Sequence, residues 1–253
     1  MNKIRIIARI DVKNEFVIKG IHLEGLRKLG DPNEIAKKYY NEGVDEIIFM
    51  DAVAAYYNRN SLTYLIKKAC ENIFIPITVG GGIRKLEDIQ IVLNAGADKT
   101  AINTAAVHNQ NFIKEASMVF GSQCIVSSID ALKIGEDKWE VYIDNGREPT
   151  GLDVIEWAKK VEELGAGEIM LTSIDKEGTK KGFDIDLNKK VSEVVSIPII
   201  SSGGAGKKDD VANLIENTEI DAVAIASIFH YKTETINSLK NYLINERKIK
   251  VRL

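Results

Sequence analysis

This sequence is poor in the residues that usually betray a chemistry. Its 253 residues hold two cysteines, four prolines, three histidines and two tryptophans, and 34 bases against 37 acids leave a formal net charge of −3. Cys70 and Cys124 stand alone, without CxxC or other ligand spacing, which excludes a disulfide scaffold or a zinc module. Both read as reduced core residues of a cytosolic protein. The bases are dispersed among the acids, so nucleic acid and acidic membranes are excluded as main partners. No apolar run reaches membrane-spanning length and no signal-peptide core opens the chain, so a cytoplasmic protein is expected. His22, His108 and His230 have no second ligand at metal spacing, and neither metal nor cofactor is expected. Trp139 and Trp157 read as packing residues.

With 45% hydrophobic residues, the chain can bury a sizeable core. Short β-branched runs alternate with amphipathic stretches. Strands are expected at Ile4–Ile10, Glu46–Asp51, Pro76–Val79, Lys99–Asn103, Cys124–Asp130, Glu168–Ser173, Pro198–Ser202 and Ala222–Ala226. Helices are expected near Pro32–Glu42, Ser61–Glu71, Lys85–Ala95, Asn111–Val119, Gly151–Leu164, Ile185–Val195, Lys208–Glu216 and Glu234–Asn245. Several strands are apolar on both faces, as in a parallel sheet enclosed by helices. No linker interrupts the pattern, so one domain over residues 1–253 is expected. A doubly wound sheet fits the alternation, but an internal repeat argues for closure. Ile6–Val12 (IIARIDV) recurs as Ile125–Ala131 (IVSSIDA), and Pro76–Gly82 (PITVGGG) as Pro198–Gly204 (PIISSGG). An offset of roughly 120 residues, with four strands per copy, is half of a (β/α)₈ barrel. Two connections exceed the pattern. The 12–31 segment after strand one is long enough for a mobile lid, and 131–150 after strand five alternates like a small hairpin.

In such a barrel the working groups sit where strands end at their C-termini. Asp11 and Asp130 hold those places on the first and fifth strands, which face each other across the axis. Two facing carboxylates can divide labour as acid and base if their surroundings separate their pKa values; each Asp alone reads as well as a cap for the following segment. The glycine turns ending in Gly82 and in Gly203-Gly204 bring backbone N–H groups to where an anion would sit. Asn103-Thr104 and Ala226-Ser227, one strand later in each half, complete two grips, with Ser227–His230 as a short extra helix. The plainer reading of each glycine pair is a tight turn. Together the grips suit a substrate with a phosphate at each end, its middle held between Asp11 and Asp130. At the opposite end, Arg5, Glu46, Lys99 and Glu168 begin four strands. Each reads as surface charge by default, and as a set they form a ring of alternating sign able to gate the axis.

The segments IDVKNEFVIKG, TVGGGIR, GADKTAINTAA, FGSQCIVSSID, GAGEIMLTSIDKEGT and SGGAG resemble, in order and spacing over essentially the whole chain, the HisF family of cyclase subunits of imidazole glycerol phosphate synthase. The resemblance implies a barrel bound to a HisH-type glutaminase, which sends ammonia along the axis. The ammonia would react with the bisphosphorylated ribulosyl-formimino aminoimidazole carboxamide ribotide, yielding imidazole glycerol phosphate and aminoimidazole carboxamide ribotide. It implies Asp11 and Asp130 as acid–base residues and Lys19 in the substrate loop. One phosphate would be held by Gly82, Asn103 and Thr104, and the other by Gly203, Gly204, Ala226 and Ser227. Arg5, Glu46, Lys99 and Glu168 would be the ammonia gate, with Asp98 at the glutaminase interface. The chain departs from the pattern at Arg9-Ile10, where Cys-Leu is usual, at Glu177, a ligand-facing position where Asp is usual, and at the polar pair Ser127-Ser128. With IHLEGLRKLGDPNE, MDAVAAYYNRNSL and DNGREPTGLDVIEWAKK, these departures look like the WbuZ branch of HisF-like proteins, which is associated with amidation of surface-glycan sugars. That alternative delivers ammonia without closing an imidazole ring. A HisA-type sugar isomerase shares two acids and two phosphate sites but needs no charged ring.

Overall fold

The computed structural model describes residues 3–52 and 62–252. Among the described residues, twelve strands, numbered in chain order, form one sheet, and eight of them close into a parallel barrel. These are β1 (Arg5–Lys13), β4 (Glu46–Asp51), β5 (Ile77–Gly80), β6 (Lys99–Ile102), β7 (Ile125–Gly135), β10 (Glu168–Ser173), β11 (Ile199–Ser202) and β12 (Ala222–Ile225). Pairing of Ile7 with Ala224 brings β12 back against β1 and seals the ring. Helices Pro32–Asn41, Thr63–Cys70, Leu86–Asn94, Asn111–Phe120, Val154–Glu163, Ile185–Ser192, Lys208–Asn217 and Ile236–Asn241 lie between successive strands or follow the last. The (β/α)₈ expectation is borne out. Among the described residues, no helix is long and apolar enough to cross a membrane.

Alternation along β1 sorts its side chains into two cores. Ile6, Ala8, Ile10 and Val12 join the larger cluster under the helices, whereas Ile7 belongs to an inner one with Ile48, Ala101, Val126, Met170, Ile200, Ala222 and Ala224. That inner plug fills the barrel with apolar atoms between a charged layer below and a polar layer above. Gly80 leaves room for this plug, since a Cβ there would lie 2.5 Å from the Met50 sulfur and would make that side chain shift.

Several boundaries differ from expectation. The helix placed at Gly151–Leu164 begins at Val154, because Glu148–Asp153 pairs as β9 and Asp153 caps the helix by accepting from the N–H groups of Ile155 and Glu156. Asp31 and Pro32 start the first helix as read, with Asp31 accepting from Asn33 and Glu34. The last helix gives way at Tyr242 to a π-helical turn. Both cysteines are half-buried and unpaired, at the edge of the core rather than inside it. Trp139 and Trp157 are buried as expected, the Trp139 indole donating to Asp184 at 3.1 Å. Part of the MDAVAAYYNRNSL segment, and Ser61 at the expected start of a helix, lie outside the described residues.

Candidate active site

Both acids sit farther inside their strands than expected. β1 runs on through Asp11 to Lys13 because it pairs antiparallel with β2 (Phe16–Ile21), which pairs in turn with β3 (Glu24–Gly30). β7 likewise passes Asp130 and pairs with β8 (Lys138–Ile143), and β8 with β9. The expected lid is therefore a β-ribbon, the counterpart of the expected hairpin. The first ribbon is docked on the loop after β10: the His22 N–H donates to the Glu177 carbonyl at 2.8 Å and its Nδ1 lies 2.8 Å from the Ile174 carbonyl. Gly178 permits this approach, since a Cβ there would lie 2.2 Å from the Gly20 carbonyl oxygen.

The centre of the mouth is held by Arg9, 3% exposed. Its Nε donates to Asp11 at 2.8 Å, and its Nη1 donates to Thr172 at 3.0 Å and Ser202 at 3.1 Å. Lys19, from β2, contacts Glu177 and lies 3.7 Å from Asp11. Asp130 accepts from the Asn103 amide at 3.0 Å. These surroundings split the two acids. Burial works to raise Asp11, but Arg9 and then Lys19 outweigh it and hold the carboxyl below its usual range. At Asp130 burial prevails, with Asp11 adding to it, and the carboxyl is pushed up to about 6 against the opposing pull of Arg9 and Asn103. Burial also brings Lys19 down to about 8 and His230 to about 4.

The two sets of residues expected to grip phosphates are each brought together, and they are not alike. Gly82 and Thr104 line a cleft of about 470 Å³ that reaches Ser128 and Asp130. The Asn103 amide does not face that cleft as a free donor: it donates to Asp130 and to the Tyr142 carbonyl at 3.1 Å. The Thr104 hydroxyl donates to Asp144 at 3.3 Å. Across the mouth, Gly203, Gly204, Ala226 and Ser227 surround only about 10 Å³ of space, because Lys19 and Glu177 fill the remainder. Ser227–His230 is the short helix expected. Gly203 and Gly204 have φ of 95° and 113°, and a Cβ on Gly204 would lie 2.1 Å from the Gly182 carbonyl oxygen. Among the described residues, no three His, Cys, Asp or Glu side chains converge as a metal site.

At the opposite end the four charged residues do form a ring. Arg5 pairs with Glu46 at 2.9 Å and with Glu168, and Lys99 pairs with Glu46 at 3.2 Å and Glu168 at 2.9 Å. Burial works to raise Glu46, but Arg5 and then Lys99 outweigh it and hold the carboxyl low. Asp98, exposed beside the ring, accepts the Ile77 N–H at 2.8 Å. Sequence reasoning missed the apolar side chains sharing this face: Phe74, before β5, is 77% exposed and Met118, before β7, 76%. It also missed Thr172 and Ser202, whose hydroxyls hold Arg9.

A family profile described as "Histidine biosynthesis protein" matches residues 5–235. Curated proteins called imidazole glycerol phosphate synthase subunit HisF are similar along the chain. That of Bacillus cereus (strain Q1) is 49% identical over 249 residues, 98% of either chain, and that of Hydrogenobaculum sp. is 51% identical over the same share. That of Legionella pneumophila is 56% identical over 210 residues, 83% of this chain and 99% of its own. The chain thus belongs to the histidine-biosynthesis protein family, within its HisF group.

Proposed function

We propose that this chain, as one barrel domain over residues 1–253, is the cyclase subunit of imidazole glycerol phosphate synthase. In that reading it combines ammonia with the bisphosphorylated ribulosyl-formimino ribotide, in the cytoplasm and in complex with a HisH-type glutaminase. The observation that carries the mechanism is the split between Asp11 and Asp130 at one mouth. Ring closure needs protons removed from the incoming nitrogen and supplied to the departing ribotide nitrogen. A carboxylate kept ionised suits the first task, and one poised near neutrality suits the second. The backbone turns at Gly82–Thr104 and Gly203–Ser227 would bind the two phosphates, with the reacting centre stretched between them. For the second phosphate to enter, Lys19 would leave Glu177 and pair with the anion.

The ring of alternating charge supports an axial entry for ammonia, with Arg5, Glu46, Lys99 and Glu168 as its gate. Phe74 and Asp98, exposed in the loops that lead into β5 and β6 at the ring's end of the barrel, are the positions we assign to the glutaminase contact. A second reading, ammonia delivery without ring closure, draws on one observation: Arg9, Lys19 and Glu177 occupy the side of the mouth where one phosphate would lie. Deleting the gene and supplying it back separates the two. The cyclase reading expects histidine auxotrophy, restored by the intact gene and not by Asp130→Asn. Growth of the deletion strain without histidine would favour the second reading.

A further inference from the structure

The repeat that builds this mouth exchanges a charged side chain for a small one at a single position. Aligning Ile6–Val12 with Ile125–Ala131 places Arg9 opposite Ser128, each two residues before its acid. The consequences on the two sides are unequal. On the Ser128 side the small side chain leaves a cleft of about 470 Å³ that reaches Asp130. On the Arg9 side the guanidinium crosses from β1 to Thr172 on β10 and Ser202 on β11, and it also engages Asp11. A planar fork with fixed N–H directions locks what it binds far more than a flexible ammonium would.

We propose that Arg9 is a positioning residue that assigns the two carboxylates different tasks, pinning Asp11 against the closed side of the mouth and leaving Asp130 to exchange protons with whatever occupies the open cleft. The inference rests on the cyclase reading for the reaction served, and on geometry alone for the division itself. The groups facing Asp11 are Arg9 on its own strand, Lys19 from β2 and His230 from the short helix after β12. Those facing Asp130 are Arg9, the Asn103 amide beyond β6, Asp11, and Thr172 on β10. Arg84, His108, Asp51 and Asp144 line the same cleft. Lys19 comes from β2 of the ribbon, outside the barrel ring, and His230 is neutral near pH 7. Arg9 is therefore the cation of this set that a barrel strand carries.

The test is a carboxyl ¹³C NMR titration of Asp11 and Asp130 in the full chain, wild type against Arg9→Met and Arg9→Lys, with pH–rate profiles of ammonium-dependent turnover alongside. Loss of a cation at contact distance raises a carboxyl pKa by about one unit or more. In Arg9→Met both acids should titrate higher, and the acid limb of the rate profile should move up by about one pH unit. Its kcat should fall about tenfold or more while KM stays nearly constant. Arg9→Lys should return the limb towards wild type. Unchanged titrations and an unchanged limb in Arg9→Met would overturn the proposal, as would a loss confined to KM. If the titrations shift as stated but the wild-type chain forms no product at any pH, the positioning role stands and the cyclase reading fails.

Discussion

Replacing Arg5 by Leu removes one of the two cations that neutralise Glu46 and Glu168. The ring then carries one positive and two negative charges, with side-chain exposures of 4% for Glu46 and 7% for Glu168. Leaving a buried carboxylate without its partner costs about 3–5 kcal/mol, and because Lys99 keeps contact with both acids we take the low end, about 3 kcal/mol. For a chain of this length that corresponds to a melting point lowered by roughly 6–12 °C. The loss depends on pH in a definite direction. Glu46 has its folded pKa depressed, so its contribution is present above the unfolded value of about 4.3 and disappears as pH falls through the lower folded value. Arg5→Leu should therefore be most damaging at neutral pH and approach wild type only below pH ~4, as pH falls through the depressed folded pKa of Glu46. Urea denaturation at pH 7 and at pH ~3 measures both numbers. Adding Glu168→Gln to Arg5→Leu restores neutrality and should recover about half of the loss at pH 7. An Arg5→Leu protein within about 0.5 kcal/mol of wild type at both pH values would refute the reasoning, since that is how solvated surface pairs behave.

Three further outcomes follow from the structure. Gly204→Ala forces a Cβ to within 2.1 Å of the Gly182 carbonyl oxygen at φ 113°, so it should cost more than about 1–3 kcal/mol in denaturant and raise KM for the bisphosphate. Gly25→Ala, at φ +64° with open space around it, should cost only about 1 kcal/mol and leave KM unchanged. Lys240→Met strips Asp45 of a buried partner at 2.7 Å while Asp45 still accepts the Ile6 N–H, and should destabilise by about 3–5 kcal/mol at pH 7. Phe74→Asp, on the exposed face beside the ring, should leave ammonium-dependent turnover intact and abolish turnover driven by glutamine through the partner; equal loss of both would place Phe74 in the fold and not in the interface.

What the sequence disclosed, and what it concealed, follows from how local each signal is. The eight strands were legible because their apolar runs are bounded by caps and glycines, and Asp31-Pro32 began a helix as such pairs do. The repeat revealed the two acids and the two glycine turns, and charges at the starts of four strands revealed the ring. The first ribbon was hidden because its tight turn is built from His22 and Leu23, at φ 51° and 62°, where Asn-Gly is the usual signal for paired left-handed residues. The second ribbon turns at Asp144-Asn145-Gly146, which carries that signal plainly. Contacts across the mouth had no local trace at all. Lys19 meets Glu177 from 158 residues away, and Arg9 reaches Ser202 from 193. Arg9 and Glu177 stood out in sequence only as departures from the family pattern, and their partners became visible only once the barrel closed. Asn103, expected at a phosphate, engages Asp130 because strand closure sets β6 beside β7.

In the proposed reaction Asp11 and Asp130, split in charge at one mouth, close an imidazole ring with ammonia. Turnover of the ribulosyl-formimino ribotide by the purified chain with an ammonium salt tests it most directly, both products being followed together. Imidazole glycerol phosphate and aminoimidazole carboxamide ribotide should appear in equal amounts, with activity falling as pH rises past about 6, where Asp130 loses the proton it donates, and a loss of at least about a hundredfold in Asp130→Asn. No product from the folded wild-type chain, or full activity in Asp130→Asn, would contradict it.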